Sequence, residues 1–569
     1  MADKETTRLC IQIVQDQFGT TPARVAAELL SRGRLRLAHI VRSTSIKSRA
    51  AANAILILIQ HNILWHCESA VEGEMFEVNW EEVLARLRFG RYISIARDLF
   101  GEPAVDILSF IMDHGKVRAG DIVQSLIQGI NTKNTALYNS TLISLLKSMY
   151  IKPTSAALQI SPRDRLIRYQ EEAERAKRAS AGAKKGPLAA KDLLEVRELA
   201  RRRLKEEVDN IEGGGFRRRA KDAKETLTSR TPKRQKIDED VLDEDIYLRV
   251  NYAKFNLHIR NRLIEQSASQ RYNESAGLVI RAALAAALPS ESTLHGVRSE
   301  ILTMQNIMRH LPPDPPLVGI AIRPSGSGSG SSTEAGTQAL MTREYVNILC
   351  AADNPTEAGR QSAFMAYSGL SGAVGGGGGK KVAIEYENIG RRLRFKIFET
   401  FVRERWGELA IRVLRLLIDK GKMDEKQIAK VAMMSKKDVQ PLLTKLVSAS
   451  LISLQEVPRG ADRSAMRTIY LWYIDLAKTY SVILTSLYKT LGNILARKNA
   501  ETQKVSAILS KRERSDVQGN EENFLTRGER EALTAFEEKR LRLGVLERRV
   551  EECVFILRDL APDGYAGES

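Results

Sequence analysis

The stretch Ile55-Leu-Ile-Leu-Ile-Gln-His-Asn-Ile-Leu-Trp65 decides the fold. Ile55, Leu58 and Ile59 recur at helical spacing, and Ile63-Leu-Trp65 then reads as a strand leaving the helix. The same junction returns twice. Leu142, Ile143 and Leu146 lead to Ile151, and Leu442, Leu443 and Leu446 lead to Leu451, so offsets of 88 and 388 superimpose Leu58/Ile63 on Leu146/Ile151 and Leu446/Leu451. A shorter helical stretch precedes each copy, at Arg24 to Leu30, Gly120 to Leu126 and Gln427 to Ala432. The outer copies continue into a β-ribbon: Phe76-Glu-Val78 follows a Glu72-Gly73 turn, while Leu451 to Val457 and Thr468 to Trp472 flank Pro458-Arg-Gly460. Helices followed by a two-stranded wing make a winged helix-turn-helix. Recurrence of the whole order, rather than of one amphipathic helix, separates this reading from generic helical packing.

Outward from these junctions the chain divides as follows. Residues 1–80 form a first winged helix, and 81–162 hold the first part of a second. Residues 163–240 are a basic, largely disordered insertion in which only the part around Lys191 to Val208 can form a charged helix. Residues 241–390 hold the end of the second module and a third, with helices expected at Leu278 to Leu288 and Val297 to Met308. Ser/Gly-rich runs at Ser325 to Ser332 and Gly375 to Gly379 interrupt it as flexible loops. A fourth winged helix covers 391–474. An antiparallel coiled-coil hairpin covers 475–560, before a tail at 561–569. Its seam is read at Leu487, Leu491 and Ile494 facing Leu546, Val550 and Leu557. The fold class is therefore mainly α with small β-wings.

Composition narrows the function. With 88 Lys+Arg against 70 Asp+Glu the net charge is +18, and 43% of residues are hydrophobic, too many for wholesale disorder. Residues 163–237 carry 23 Lys+Arg and 13 Asp+Glu, a net +10, so over half of the excess sits in the insertion. Such a balance suits phosphate contact. Cys10, Cys67, Cys350 and Cys553 lie too far apart to suggest a disulfide framework, so a reducing compartment fits. No run is long and apolar enough to span a bilayer, so no membrane role is expected.

No catalytic constellation emerges. His61, His66 and Cys67 are close but lack a fourth ligand, so they read as structural rather than zinc-binding. Gly379-Lys380 fails as a phosphate loop, because Val374 stands where the first glycine belongs and Lys381 where Ser or Thr belongs. Neither metal nor cofactor is expected, and the chain reads as a non-enzyme.

Certain runs resemble a known family. Leu9-Cys-Ile-Gln-Ile-Val14, Val25-Ala-Ala-Glu-Leu-Leu30 and the opening Ile55–Trp65 stretch resemble the first module of the tandem winged-helix subunit of nuclear RNA polymerase III. Arg86-Leu-Arg-Phe-Gly-Arg-Tyr92 resembles the start of that family's second module, and Arg249-Val-Asn-Tyr-Ala-Lys-Phe-Asn256 its passage into the third. The Ser/Gly run and the five-glycine run depart from the family pattern. The resemblance implies a nuclear, non-catalytic polymerase subunit in a subcomplex with two smaller winged-helix proteins on the clamp of the largest subunit. It further implies contact with the initiation factor TFIIIB and a part in opening promoter DNA for transfer RNA, 5S RNA and other small RNAs.

The alternative is a stand-alone winged-helix transcription factor that reads one DNA site. Ala50 to Asn62 argues against it, offering mainly Ala, Asn53, Gln60 and His61 where base-reading side chains would stand. A scaffold of the proteasome-lid type places one winged helix after helical repeats, whereas here the winged helices themselves repeat. DNA contact is expected to be weak and independent of sequence, through Lys436, Lys437 and Lys445 of the fourth module and Arg217, Arg218 and Arg219 of the insertion. Pro232-Lys-Arg-Gln-Lys236 offers Lys233, Arg234 and Lys236 as a nuclear import signal.

Overall fold

The computed structural model describes residues 3–69, 73–130, 135–180, 190–213, 216–217, 241–242, 245–291, 293–312, 317, 334–351, 363–367, 381–458, 468–514, 517 and 524–560. They fall into two compact units, Met1–Phe255 and Asn256–Ser569.

Unit one opens with α1 (Lys4–Phe18), whose first turn is capped by the Asp3 carboxylate. Gly19, at φ +88°, turns the chain directly into α2 (Thr20–Arg32), a left-handed conformation that a side chain would strain. Then follow α3 (Leu37–Thr44), α4 (Ser48–Gln60), β1 (Leu64–Ser69) and β2 (Gly73–Val78). Leu35 bridges to Phe76, so the first module's sheet runs Leu35–β2–β1. The stretch Arg24 to Leu30 is thus the first helix of its module, not the one preceding the recognition helix. That place belongs to α3, and adding 388 to Leu37 gives Glu425, where the matching helix of the fourth module starts.

After α5 (Trp80–Ala85) and α6 (Phe89–Phe100), the second module comprises α7 (Glu102–His114), β3 (Val117–Arg118), α8 (Ala119–Ile130), α9 (Thr135–Lys147) and β4 (Ile151–Thr154). The insertion then intervenes. It holds α10 (Pro162–Ser180), α11 (Ala190–Gly213) and the short pair β5 (Phe216–Arg217) and β6 (Val241–Leu242). Only beyond it does β7 (Tyr247–Val250) close the wing, in the sheet order β3-β7-β4.

The insertion expected to be largely disordered is ordered over α10 and α11. The two helices pack antiparallel: Lys177 binds Asp192 at 3.3 Å and Arg165 binds Glu207 at 3.2 Å. Ala173, Val196 and Ala200 are buried, small enough to hide among charged residues in a composition count. Arg34 links this helix pair to the first module's wing, donating to Glu77 and to Asp164, each at 2.8 Å.

The boundary between the units falls inside α12 (Tyr252–Arg271). Unit two continues with α13 (Glu274–Ala287), β8 (Leu302–Thr303), α14 (Met304–Arg309), α15 (Glu334–Cys350), β9 (Met365–Tyr367) and β10 (Lys381–Ile384). These form the third module, with the sheet order β8-β10-β9. A helix was expected across Val297 to Met308, yet helix begins only at Met304. Ser299 is claimed by the sheet instead: its backbone N–H donates to the Ile384 carbonyl at 3.0 Å, and its hydroxyl oxygen accepts from the Ile384 N–H at 2.9 Å.

The long α16 (Tyr386–Lys420) breaks at Gly407, where φ is +81°. Its second half starts the fourth module, completed by β11 (Met423–Asp424), α17 (Glu425–Val431), α18 (Lys436–Ser448), β12 (Ser453–Pro458) and β13 (Thr468–Tyr473), in the order β11-β13-β12. All four modules therefore share one sheet order, with the last strand central. The chain then runs through α19 (Leu476–Arg512) and back along α20 (Arg527–Val554), ending in a π-turn at Phe555–Asp559. The return is antiparallel, since Lys498 pairs with Glu547 and Lys511 with Glu529.

Candidate nucleic-acid and partner surfaces

In a winged helix the third helix, the second of the helix-turn-helix pair, is the recognition helix, so the chemistry of each module is read from that helix. In the fourth module it is α18. Val439, Leu443 and Leu446 recur at helical spacing and are buried in a core with Ile428, Leu414 and Leu451. Lys436, Lys437, Gln440, Thr444 and Lys445 are all exposed, and Lys437, Thr444 and Lys445 fall on the side opposite the buried stripe. The structure thus places all three candidate lysines in solvent on one helix, with Lys437 and Lys445 away from the buried stripe and Lys436 at its edge in the first turn. Ser435 caps the helix by accepting from the Asp438 N–H at 3.3 Å. Lys436 and Lys437, in the first turn, oppose the helix dipole, so they do not serve to stabilise the helix. Their placement suits an external anion.

In the first module the third helix is α4, and its outward face is different. Leu56 is 63% exposed and Ile57 44%. Arg49 and Lys47 stand only at its N-terminal end, without a side-chain cap. Such a face costs free energy in water, and burying it against a protein lowers that cost.

The C-terminal end of α4 is held by the second module. The Lys116 ammonium donates to the Ile59 carbonyl at 2.8 Å, a cation on the negative end of the helix dipole. Gln60 donates to the carbonyls of His114, at 3.2 Å, and Lys116. A Cβ on Gly115 would lie 2.5 Å from the Gln60 carbonyl oxygen, so only glycine permits this approach. His61 lies against the Phe18 ring, with centroids 4.7 Å apart, and Arg86 covers the same ring. Burial, reinforced by Arg86, His114 and Lys116, holds the His61 imidazole neutral down to about pH 4. Burial and neighbouring Arg249 likewise bring Lys116 down to about 8. The two modules are joined through a partly desolvated polar seam, which sequence reasoning missed because its members lie far apart in the chain.

His66 and Cys67 lie on β1, while His61 is turned to Phe18. Burial pushes the Cys67 thiol up to about 12, the behaviour of an inert packed cysteine. Of the basic candidates in the insertion, Arg217 lies in β5 opposite Val241, and Arg218 and Arg219 lie outside the described residues. Lys233, Arg234 and Lys236 also lie outside them.

The hairpin seam is placed more finely than sequence phasing allowed. Leu491 is fully buried, Ile494 and Val550 are half-buried, and Leu487 and Leu557 pack with the core of the fourth module. Leu546 is 47% exposed, one residue out of phase. The inner side of α20 runs instead through Leu533, Phe536, Leu543, Val550 and Val554, and includes Glu547, which pairs with Lys498. A salt-bridged Glu in that series disguises its period. Glu501, with its side chain 6% exposed, is bound by Arg497, Lys504 and Lys539, a polar insertion that specifies how the arms align.

Four copies of one wing topology define a tandem winged-helix protein. Residues 8–68 match the RNA polymerase III subunit RPC82 helix-turn-helix domain, residues 140–322 match RNA polymerase III subunit RPC82, and residues 398–474 match the POLR3C C-terminal winged-helix domain. The chain is 26% identical to the DNA-directed RNA polymerase III subunit RPC-3 of Coccidioides immitis (strain RS), over 97% of this chain and 99% of that protein. It is 26% identical to the rpc3 subunit of Emericella nidulans, over 98% and 100%, and 25% identical to the RPC3 subunit of Bos taurus, over 97% of each. The chain belongs to the RNA polymerase III subunit RPC82 family, whose members are non-catalytic subunits.

Proposed function

We propose that this chain acts in the nucleus as the tandem winged-helix subunit of DNA-directed RNA polymerase III. In this reading it joins two smaller winged-helix subunits on the polymerase clamp, meets TFIIIB, and assists promoter opening for transfer RNA, 5S RNA and other small transcripts. The observation that carries it is the division of labour between third helices. The apolar face of α4 suits a protein partner, and the lysine face of α18 suits a phosphate backbone that other factors have selected. Arg217, Arg218 and Arg219 would add to the same electrostatic contact, and Lys233, Arg234 and Lys236 would supply nuclear import.

Purification of the tagged full-length chain from cells tests the assembly: the other polymerase III subunits should be recovered in stoichiometric amounts. Recovery of the chain alone, or as a dimer, would overturn it. Exposed Gln440 and Thr444 on α18 are side chains able to read base edges, and they favour the alternative of a stand-alone transcription factor. A binding selection on random DNA separates the two. The polymerase reading expects a flat profile with steep salt dependence, whereas the alternative expects one site preferred by about a thousandfold or more.

A further inference from the structure

The outer face of the second module's wing carries a row of like charges. Arg249 of β7 stands directly opposite Lys152 of β4. On the other side of β7, one step beyond the Val117–Leu248 pair, Lys116 flanks the same arginine. Side chains alternate along a strand, so Lys116, Arg249 and Lys152 share the face opposite buried Leu248. Like charges set opposite one another destabilise a sheet. The end of α4 closes over this row, leaving Lys116 5% exposed and Arg249 and Lys152 half-buried.

What the first module brings adds to the excess. Arg86, 8% exposed and stacked on the rings of Phe18 and Phe89, is a fourth cation. Glu82 of α5 lies within electrostatic reach of all four, yet among the described residues it forms an ion pair with none of them. Burial pushes its carboxyl up, towards the neutral form. Lys116 donates to the Ile59 carbonyl and Arg86 to the Gln17 side-chain oxygen at 2.6 Å, and these neutral acceptors leave the charge unanswered. The Nε atoms of Arg86 and Arg249 are buried without an acceptor among the described residues. Four cations around one weak acid lower the stability of the fold, which is the mark of a site kept for binding.

The chemistry of the cluster selects its ligand. An excess of positive charge this large calls for a multivalent anion rather than chloride. Guanidinium groups match the oxygens of a tetrahedral oxyanion. The half-buried Arg249 and Lys152 give access, while Lys116 and Arg86 are too enclosed to meet a duplex or a broad acidic protein surface. We infer that the seam between the first and second modules binds a small phosphate anion, with Arg249 and Lys152 at its mouth and Arg86 and Lys116 within. Such an anion ties the wing face of the second module to α5 of the first.

Isothermal titration of the purified full-length chain with sodium phosphate and with pyrophosphate, at an ionic strength fixed by NaCl, tests the site. At least one of the two should saturate a single site per chain, and their relative affinity separates a single phosphate group from a condensed one as the ligand. R249M and K152M keep their apolar stems and should each weaken binding about tenfold, the loss of one charge-assisted contact. In NaCl alone both should melt at the parent's temperature or higher, because each relieves the repulsion in the row. If R249M melts lower, R249K keeps the charge without the fork, and it should still weaken binding about threefold. E82Q should tighten binding about threefold or more by removing the competing charge. Absence of a saturable site for both anions, or unchanged affinity in R249M, overturns the assignment. So does a lower melting temperature of E82Q with unchanged phosphate affinity, which would make Glu82 the sufficient counter-ion of the cluster. Loss of duplex DNA affinity in R249M without any response to free phosphate also overturns it, in favour of a nucleic-acid contact.

Discussion

The first and last recognition helices share a topology and a basic first turn, and differ further along the face that points outward. Helix α4 shows Leu56 and Ile57, begins on Lys47 without a side-chain cap, and ends against the second module. Helix α18 shows three lysines and is capped by Ser435. Its module's core is completed from elsewhere, by Tyr480 and Ile483 of α19 and by Leu557. The same scaffold thus accepts opposite chemistry, because the wing order and the buried stripe define the fold while the outward face is free to vary. The first module is fastened to its neighbour at the C-terminal end of its recognition helix. The last stands on the base of the hairpin.

That contrast can be broken most forcefully at the hairpin base. Ile483→Asp places a charge in the fourth module's core without a partner, at a cost of about 4 kcal/mol. Limited proteolysis should show the fourth module opened while the first module stays resistant. Equal sensitivity of both would mean that the last module does not depend on the hairpin.

A second difference is titratable. His61 ends α4, whereas the residue at the same offset after α18 is Ala449. The folded-state pKa of His61 is about 4, below its ordinary value of 6.5. The unfolded chain therefore takes up a proton between those values and the folded chain does not. Stability should fall as the pH drops from about 6.5 to about 4 and level off below, by about 2–3 kcal/mol in all. Urea titrations across this range should show the loss in the parent and a smaller slope in His61→Gln. Parallel slopes would place the acid sensitivity elsewhere.

The two outward faces predict a crossing pattern of loss. L56E/I57E should lower recovery of polymerase III subunits with the tagged chain about tenfold or more, with DNA binding unchanged. K436A/K437A/K445A should do the reverse. Its salt slope on duplex DNA should be shallower by about 2.7, which amounts to about fortyfold in relative affinity over a fourfold change in salt. A variant that moves both readouts together would dissolve the distinction between the faces.

The smallest effect concerns the helix starts. Ser435→Ala removes a cap from α18 and should cost about 1 kcal/mol, while Lys47→Ser supplies the missing one to α4 and should stabilise by about 0.5 kcal/mol or more. Thermal melts of the full chain suffice to measure both. Destabilisation by Lys47→Ser would assign Lys47 a role of its own at that end of the helix.

The recurring Leu/Ile junctions at 58/63, 146/151 and 446/451 determined from sequence alone that winged helices repeat, because a buried stripe must keep its period wherever the module occurs. Locally exposed Lys436, Lys437 and Lys445 were legible for the same reason, each being the complement of a buried stripe on its own helix. Other features depend on partners distant in the chain, and only the tertiary structure decided them. β7 completes a sheet begun at β3 before the insertion, and α10 with α11 hides a seam of small residues between charged faces. Leu546 faces outward because the paired Glu547 takes the inward place that an apolar reading assigns to its neighbour. Lys116 caps a helix ended some fifty residues earlier, and Met433 is exposed because the cap of α17 turns it out of the core. Periodicity records which side of an element is buried, but not what lies against it. Hydrogen bonds and ion pairs between distant segments are settled only when the chain brings them to bonding distance.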